Sequence, residues 1–338
     1  MRSRRVMVLA ALVATLLGVA VAPGSQAAEP PGGEPPRVPH AEGTPRVAPA
    51  RSPGCASSTA ASGQTDESLV SGGVDRSYIR YVPPAHDGKR PVPLVLAFHG
   101  LAEGAAIHVQ HTEYLPLAEE EGFAVAFPQG LGAIPQWNTG LASADVVMVG
   151  ELLDQLEADL CIDTNRIYAS GLSLGGFMTS TLACVYDDRI AAFAPVAGIR
   201  DPAGCSPSRP VPMLTFHGTA DTFVPFGPIP GIVDAWAGRN GCGSPAEEFV
   251  AADDVADIFR ITYACPTAPV VFYRIDEGGH SWPGSEFSRL IEAVVGYTTF
   301  EIEATDLIWE FFEQHPLPPA RCRAPSAVPP GHTPARGC

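Results

Sequence analysis

Lysine is almost missing from this chain: a single Lys89 stands among 21 basic residues. Charge of either sign is scarce, at 17% of 338 residues, where an average domain carries about 25%. What charge there is runs acidic, to a formal net of −16, and there is no basic run. Such a chain lacks the electrostatic footprint of a nucleic-acid binder, and an anionic membrane surface is a poor partner for it. No fixed-period repeat is visible, which with the composition excludes collagen and coiled coil, and a hydrophobic fraction of 46% excludes a wholly disordered chain. Proline is scarce only in the middle. Residues 1–54 hold 9, residues 316–338 hold 7, and the 261 residues between hold 19.

The N-terminus speaks to compartment. Arg2, Arg4 and Arg5 precede an apolar run over residues 6–22, and Ser25 and Ala27 follow at signal-peptidase spacing. This predicts a secretory signal peptide, residues 1–28. The rival is a retained signal anchor. Its apolar run of 17 residues sits at the lower edge of what spans a bilayer, and small residues and prolines follow at once. Arg4-Arg5 admits a twin-arginine route, and no cysteine near the cleavage site supports a lipid anchor. Residues 29–54 carry eight prolines and almost no large apolar side chain, so they are expected to form an extended linker. Residues 323–338 read as a tail of the same kind. The folded body is expected over 55–322, one domain's worth.

Inside that body, short β-rich runs alternate with helical stretches. Strands are expected at 77–82, 92–98, 123–127, 166–170, 191–196, 211–216 and 270–275. The run at 92–98 (VPLVLAF) is apolar throughout, as in a strand buried on both faces. Helices are expected at 146–160, 177–184 and 306–314. The alternation predicts an α/β fold, a mostly parallel central sheet with helices on both faces.

The chemistry is expected at the strand ends. Residues 166–176 read RIYASGLSLGG, and Gly171-Leu172-Ser173-Leu174-Gly175 fits G-x-S-x-G between a strand and a helix. A sharp strand-to-helix turn leaves no room for side chains beside the nucleophile. It lifts the Ser173 hydroxyl above the sheet, at a helix N-terminus that favours developing negative charge. A serine hydroxyl needs a general base and an orienting acid. On such a fold the chain order is serine, then acid, then histidine. The histidines to weigh beyond Ser173 are His217, His280 and His315. His217 ends a strand in FHGTAD, and Asp221 follows on the loop where the acid is expected. His280 sits in DEGGHSWPG, a loop able to aim an imidazole at Ser173. The assignment is Asp221 as acid and His280 as base, with Asp254 and Asp276 as fallback acids and His315 as a surface residue. An aspartate in Asp221's place can also simply close an Asx-turn. The oxyanion donors are expected to be the backbone N–H groups of Leu174 and of Leu101, after Gly100, with His99 a structural core histidine. Trp137 and Trp282 are candidate walls for a flat acyl group, with core packing or bracing as the alternative. His108 and His111 lack cysteine or carboxylate partners at convincing spacing and read as surface residues. No metal or cofactor is expected.

The segments LAFHG, CIDTNRIYASGLSLGGFM, LACVYDDRIAAFAPVAG, RPVPMLTFHGTADTFVPF, NGCG and GGHSWPG together resemble secreted α/β-hydrolases of the polyhydroxybutyrate depolymerase and feruloyl esterase group, within the first carbohydrate esterase family. The resemblance covers roughly residues 55–315. It implies hydrolysis of carboxylic esters, with nucleophile, acid and base on Ser173, Asp221 and His280. Leu174 departs from it, since a small or polar residue often stands there. Hydroxycinnamate esters of plant cell-wall xylan come first among the substrates it suggests, with polyhydroxybutyrate and acetylxylan as alternatives. The partner is then an ester-bearing polymer, and no stable membrane anchor is expected. A catalytically inactive polymer-binding protein and a peptidase are the readings from other classes.

Eight cysteines in an exported chain suggest disulfides. They allow 105 pairings. Locality suggests Cys242–Cys265, and Cys184–Cys205 across the 191–196 strand. Cys55 with Cys161 and Cys322 with Cys338 are what remain. The first six positions have counterparts in secreted feruloyl esterases, which implies structural roles.

Overall fold

The computed structural model of the chain describes residues 48–58 and 60–318. The expected signal peptide, most of the expected linker, and the tail with Cys322 and Cys338 lie outside the described residues. Residues 48–54 were expected in the linker but belong to the body. Arg51 bridges to Asp163. The Ser52 hydroxyl donates to the Leu160 carbonyl at 2.7 Å and accepts the Ile162 N–H at 2.8 Å. The Cys55–Cys161 disulfide ties the segment to this position, which proline content alone does not reveal.

One ten-stranded sheet organises the protein. Its strands in chain order are β1 (Gly63–Ser71), β2 (Val74–Val82), β3 (Val92–Phe98), β4 (Ala124–Pro128), β5 (Ile162–Leu172), β6 (Ala192–Val196), β7 (Met213–Gly218), β8 (Pro245–Ala252), β9 (Asp257–Tyr263) and β10 (Val270–Ile275). Their spatial order is β1-β2-β4-β3-β5-β6-β7-β10-β9-β8. The six strands from β4 to β10 run parallel, and an antiparallel pair closes each edge. In β3 the pairing with β5 slips between Val92 and Leu94. Pro93 lies at that slip and has no N–H to give the ladder.

The helices are α1 (Ala105–Thr112), α2 (Tyr114–Glu121), α3 (Ala144–Asp159), α4 (Leu174–Val185), α5 (Ile229–Arg239), the short α6 (Glu286–Leu290) and α7 (Glu292–Val295), and α8 (Ala304–Gln314). They cover both faces of the sheet. Leu94, Leu96 and Phe98 of β3 pack with Leu152 and Leu156 of α3 and Leu182 of α4. Val95 and Ala97, on the opposite face, share a core with Tyr114 of α2 and Ile308 and Phe312 of α8. The unbroken apolar run of β3 follows from this double burial. All of the expected strands and helices form, and an α/β-hydrolase architecture results. Added to them are β1, α1, α2, α5, the short α6 and α7, and the β8–β9 pair. β1 (GQTDESLVS) is a polar edge strand, and α5 (IPGIVDAWAGR) carries one proline and two glycines. Neither has a strong periodic signal.

Among the described residues three disulfides form as expected: Cys55–Cys161, Cys184–Cys205 and Cys242–Cys265. They fit an oxidising compartment. Among the described residues no helix is long and apolar enough to cross a membrane.

Candidate active site

β3 runs out to β4 on one side and β5 leads to β6 on the other, so the strand order reverses between β3 and β5. Such a switch point opens a crevice at the carboxyl ends of the strands. The segments after β3, β5, β7 and β10 carry Leu101, Ser173, Asp221 and His280, all at this end of the sheet.

Ser173 sits between β5 and α4 with φ 56° and ψ −118°. A non-glycine residue holds such a backbone at a cost of about 1–3 kcal/mol. Its hydroxyl makes no capping bond to the helix it precedes. The turn is as tight as the motif predicts: a Cβ on Gly175 would land on the Phe98 carbonyl oxygen, and one on Gly171 would meet the backbone of Gly175. Leu174 is the first residue of α4, where N–H groups have no acceptor within the helix.

His280 and Asp221 meet across the loops after β10 and β7. The His280 Nδ1–H donates to Asp221 Oδ2 at 2.7 Å. Both residues are buried. Asp221 Oδ1 accepts the N–H groups of Phe223 and Val224 at 2.8 and 2.9 Å. The Asx-turn and the orienting-acid reading therefore both hold, one on each oxygen. His217 is buried beside this pair. Its Nε2–H donates to the Val224 carbonyl at 2.8 Å and lies 3.3 Å from Asp221 Oδ2. Burial pushes the His217 imidazole down, away from protonation. Among the fallback acids, Asp276 pairs with Arg274 and Asp254 is exposed. His315, expected at the surface, is half-buried at the end of α8, where its Nδ1–H donates to the Phe311 carbonyl at 2.6 Å.

The loop after β3 is held from several sides. His99 is wholly buried, with Nδ1–H donating to the Gly100 carbonyl at 2.6 Å and Nε2 accepting the Gly130 N–H at 2.9 Å. Burial pushes its pKa down to about 4, so it stays neutral. Trp137, 4% exposed, donates its indole N–H to the His99 carbonyl at 2.9 Å. Trp282, 1% exposed, donates to Thr305 Oγ1 at 3.0 Å. Both tryptophans are buried and spend their N–H groups on internal acceptors, which ties them to neighbouring loops.

His108 and His111 correct the sequence reading. Both lie on α1, both are buried, and both find a carboxylate. Their Nδ1–H groups donate to Glu103 Oε1 at 3.0 and 2.9 Å. Burial pushes the Glu103 carboxyl up, but the two histidines pull harder and hold it well below the usual carboxylate range. The three side chains are close enough for a metal, with ligand atoms within 4.8 Å of one another. Their hydrogen bonds already use both Nδ1 atoms, and His111 Nε2 is engaged by Ser288 Oγ at 2.6 Å. The geometry is that of a hydrogen-bonded cluster. The turn at 99–104 folds Glu103 back over α1, and no linear spacing reveals that.

Phe223 was also missed. It is 54% exposed, and its ring centre lies 5.2 Å from that of His280. Leu101 is 57% exposed. Bulky apolar side chains left open at the strand ends are the available signal, and it requires the fold.

The family described as Esterase PHB depolymerase matches residues 76–204, a stretch that includes Leu101 and Ser173. Feruloyl esterase B of Piromyces equi is 31% identical over 198 residues, covering 51% of this chain and 37% of that one. Over these stretches the chain is similar to esterases of the polyhydroxybutyrate depolymerase and feruloyl esterase group. A second relative in line with that group, a bifunctional acetylxylan esterase/xylanase of Neocallimastix patriciarum, is 32% identical over 155 residues, covering 46% of this chain and 23% of that one. The chain thus spans well under half the length of either relative. Among solved structures, an acetyl xylan esterase from Aspergillus awamori superposes with a TM-score of 0.55 at 15% identity, over 74% of this chain and 99% of that one. That likeness bears out the α/β-hydrolase fold.

Proposed function

We propose that this protein is a secreted serine esterase, with Ser173 as nucleophile, His280 as general base and Asp221 as orienting acid. The observation that carries the reading is the buried His280–Asp221 hydrogen bond, formed at the same end of the sheet as the strained Ser173 turn. Asp221 fixes the imidazole with its proton on Nδ1 and leaves Nε2 basic. In the first step Nε2 takes the Ser173 proton as the oxygen attacks the ester carbonyl carbon. The carbonyl electron pair moves to oxygen, where the N–H groups of Leu101 and Leu174 would stabilise it. The tetrahedral adduct collapses, and the departing alkoxide takes the proton from His280. Water then loses a proton to His280 and attacks the acyl-serine. Ser173 leaves with that proton, and the products are an acid and an alcohol.

Feruloyl or other hydroxycinnamoyl esters of cell-wall xylan are the substrates we favour. Exposed Phe223 beside His280 and exposed Leu101 offer apolar area that an aromatic acyl group would cover and an acetyl group would not. One relative is named a feruloyl esterase, which supports the acyl group, and the other an acetylxylan esterase/xylanase, which supports the polymer. The three disulfides and the apolar leader support export. The test is a parallel assay of the purified protein on methyl ferulate, acetylated xylan and polyhydroxybutyrate. The highest kcat/KM is expected on methyl ferulate. Turnover confined to the polyester or to acetylxylan overturns the substrate assignment, and turnover of none overturns the esterase reading.

A further inference from the structure

Glu103 stands at one end of a hydrogen-bond chain that reaches from the loop after β3 to the loop that carries His280. Gly100 N–H donates to Glu103 Oε2 at 2.6 Å. The other carboxylate oxygen, Oε1, accepts from His108 and His111. With its proton on Nδ1, His111 offers Nε2 as an acceptor, and the Ser288 hydroxyl donates to it at 2.6 Å. That same Ser288 oxygen accepts the Trp282 backbone N–H at 3.0 Å. Trp282 follows His280 by two positions. The donor sense is consistent at every link, with the Glu103 carboxylate as the terminal acceptor. A second branch closes the ring: the Trp282 indole donates to Thr305 Oγ1, which donates to the Thr112 carbonyl at the end of α1. Glu103, His111 and Ser288 come from three separate segments, and the last two are buried.

The chain also decides which N–H groups are spent. Glu103 takes Gly100 N–H, the Pro135 carbonyl takes Ala102 N–H at 2.8 Å, and the Gly100 carbonyl takes Glu103 N–H at 3.3 Å. Between Gly100 and Glu103, Leu101 N–H is the donor without an acceptor among the described residues. A carboxylate that pins its neighbour at 2.6 Å fixes the direction in which this remaining N–H points, and charge-assisted bonds of this kind are the stronger sort.

We propose that Glu103 is a positioning residue for ester hydrolysis. Through Gly100 it aims the Leu101 N–H at the developing oxyanion, and through His111, Ser288 and Trp282 it holds that donor in register with the His280 loop. This rests on the serine esterase reading above. The network makes no contact with substrate and acts only through the two loops.

The test uses the full disulfide-bonded protein with a p-nitrophenyl ester, an arylboronic acid that forms a tetrahedral adduct on serine, and variants Glu103→Gln, Glu103→Leu and Ser288→Ala. Loss of one oxyanion donor typically lowers kcat about 100- to 1000-fold. That loss is expected for Glu103→Leu, with KM changed by no more than about threefold and boronate inhibition weakened in parallel. Glu103→Gln keeps an acceptor for Gly100 N–H and should recover part of kcat. Ser288→Ala, which leaves the Glu103–Gly100 bond in place, should lower kcat about tenfold and shift the acid limb of the pH–rate profile set by His280. Unchanged kcat in folded Glu103→Leu, or a loss matched only by loss of folded protein with boronate binding intact, overturns the proposal. Should Glu103→Leu fail to fold, Ser288→Ala with unchanged kcat and pH profile overturns it. Wild-type protein without esterase activity, or Ser173→Ala with full activity, instead overturns the reading beneath it.

Discussion

Asp221 spends its two oxygens differently: Oδ1 closes the turn through Phe223 and Val224, and Oδ2 holds His280. Asp221→Asn separates these jobs. The amide oxygen can keep the turn, while the amide NH₂ faces the His280 Nδ1 and imposes the wrong tautomer. The expected outcome is a fall in kcat of about 10³- to 10⁴-fold with little change in Tm, measured by steady-state kinetics and thermal unfolding of the same preparation. Comparable loss of fold and activity would assign Asp221 to the turn alone. Ser173, Asp221 and His280 were legible in the sequence because each sits in a short motif whose local context, strand then turn, can be read along the chain. Glu103, His108 and His111 were not. The carboxylate lies on a turn and the imidazoles on a helix, and only the folded loop brings them together. Trp137 and Trp282 were ambiguous for the same reason: a tryptophan's role depends on where its N–H ends up, and the partners, His99 and Thr305, are distant in sequence.

At the level of elements, the parallel strands were legible because burial on both faces leaves an unbroken apolar run. The sheet edges were not. β1 alternates exposed and half-buried residues along most of its length, and its pattern is that of any polar segment until β2 pairs with it. The disulfides cross-link segments that are far apart along the chain. Cys55–Cys161 closes a separation of 106 residues, and Cys184–Cys205 one of 21. Loop-closure entropy assigns about 4.7 kcal/mol to a loop of about 100 residues and about 3 kcal/mol to one of about 15. The Cys55→Ser/Cys161→Ser double variant should therefore unfold at a lower temperature than Cys184→Ser/Cys205→Ser, by calorimetry under oxidising conditions. The reverse order would show that the 48–58 segment contributes little to the stability of the body.

For the molecule as a whole, acidity has a local cost. Glu303 shares a cavity of about 410 Å³ with Glu113, Glu120, Glu286 and Asp306. Burial, and then Asp306, Glu113 and Glu286, push its carboxyl up to about 7. A carboxyl raised in the folded state binds its proton there more tightly than in the unfolded chain. Its stabilising contribution is full below the ordinary carboxylate range and is lost as pH rises through about 7. Glu303→Gln should then have a higher Tm than wild type at about pH 8, with the difference shrinking to nothing near pH 4. A constant difference across that range would remove Glu303 from the pH dependence.

The central claim is that Ser173, activated by His280, forms the acyl-enzyme. Labelling with a fluorophosphonate, followed by peptide mass analysis, tests it most directly. The account predicts one adduct, on the peptide holding Ser173, formed in wild type, slowed strongly in His280→Ala and absent in Ser173→Ala. Ester hydrolysis that continues in Ser173→Ala, or an adduct on a different serine, would contradict it.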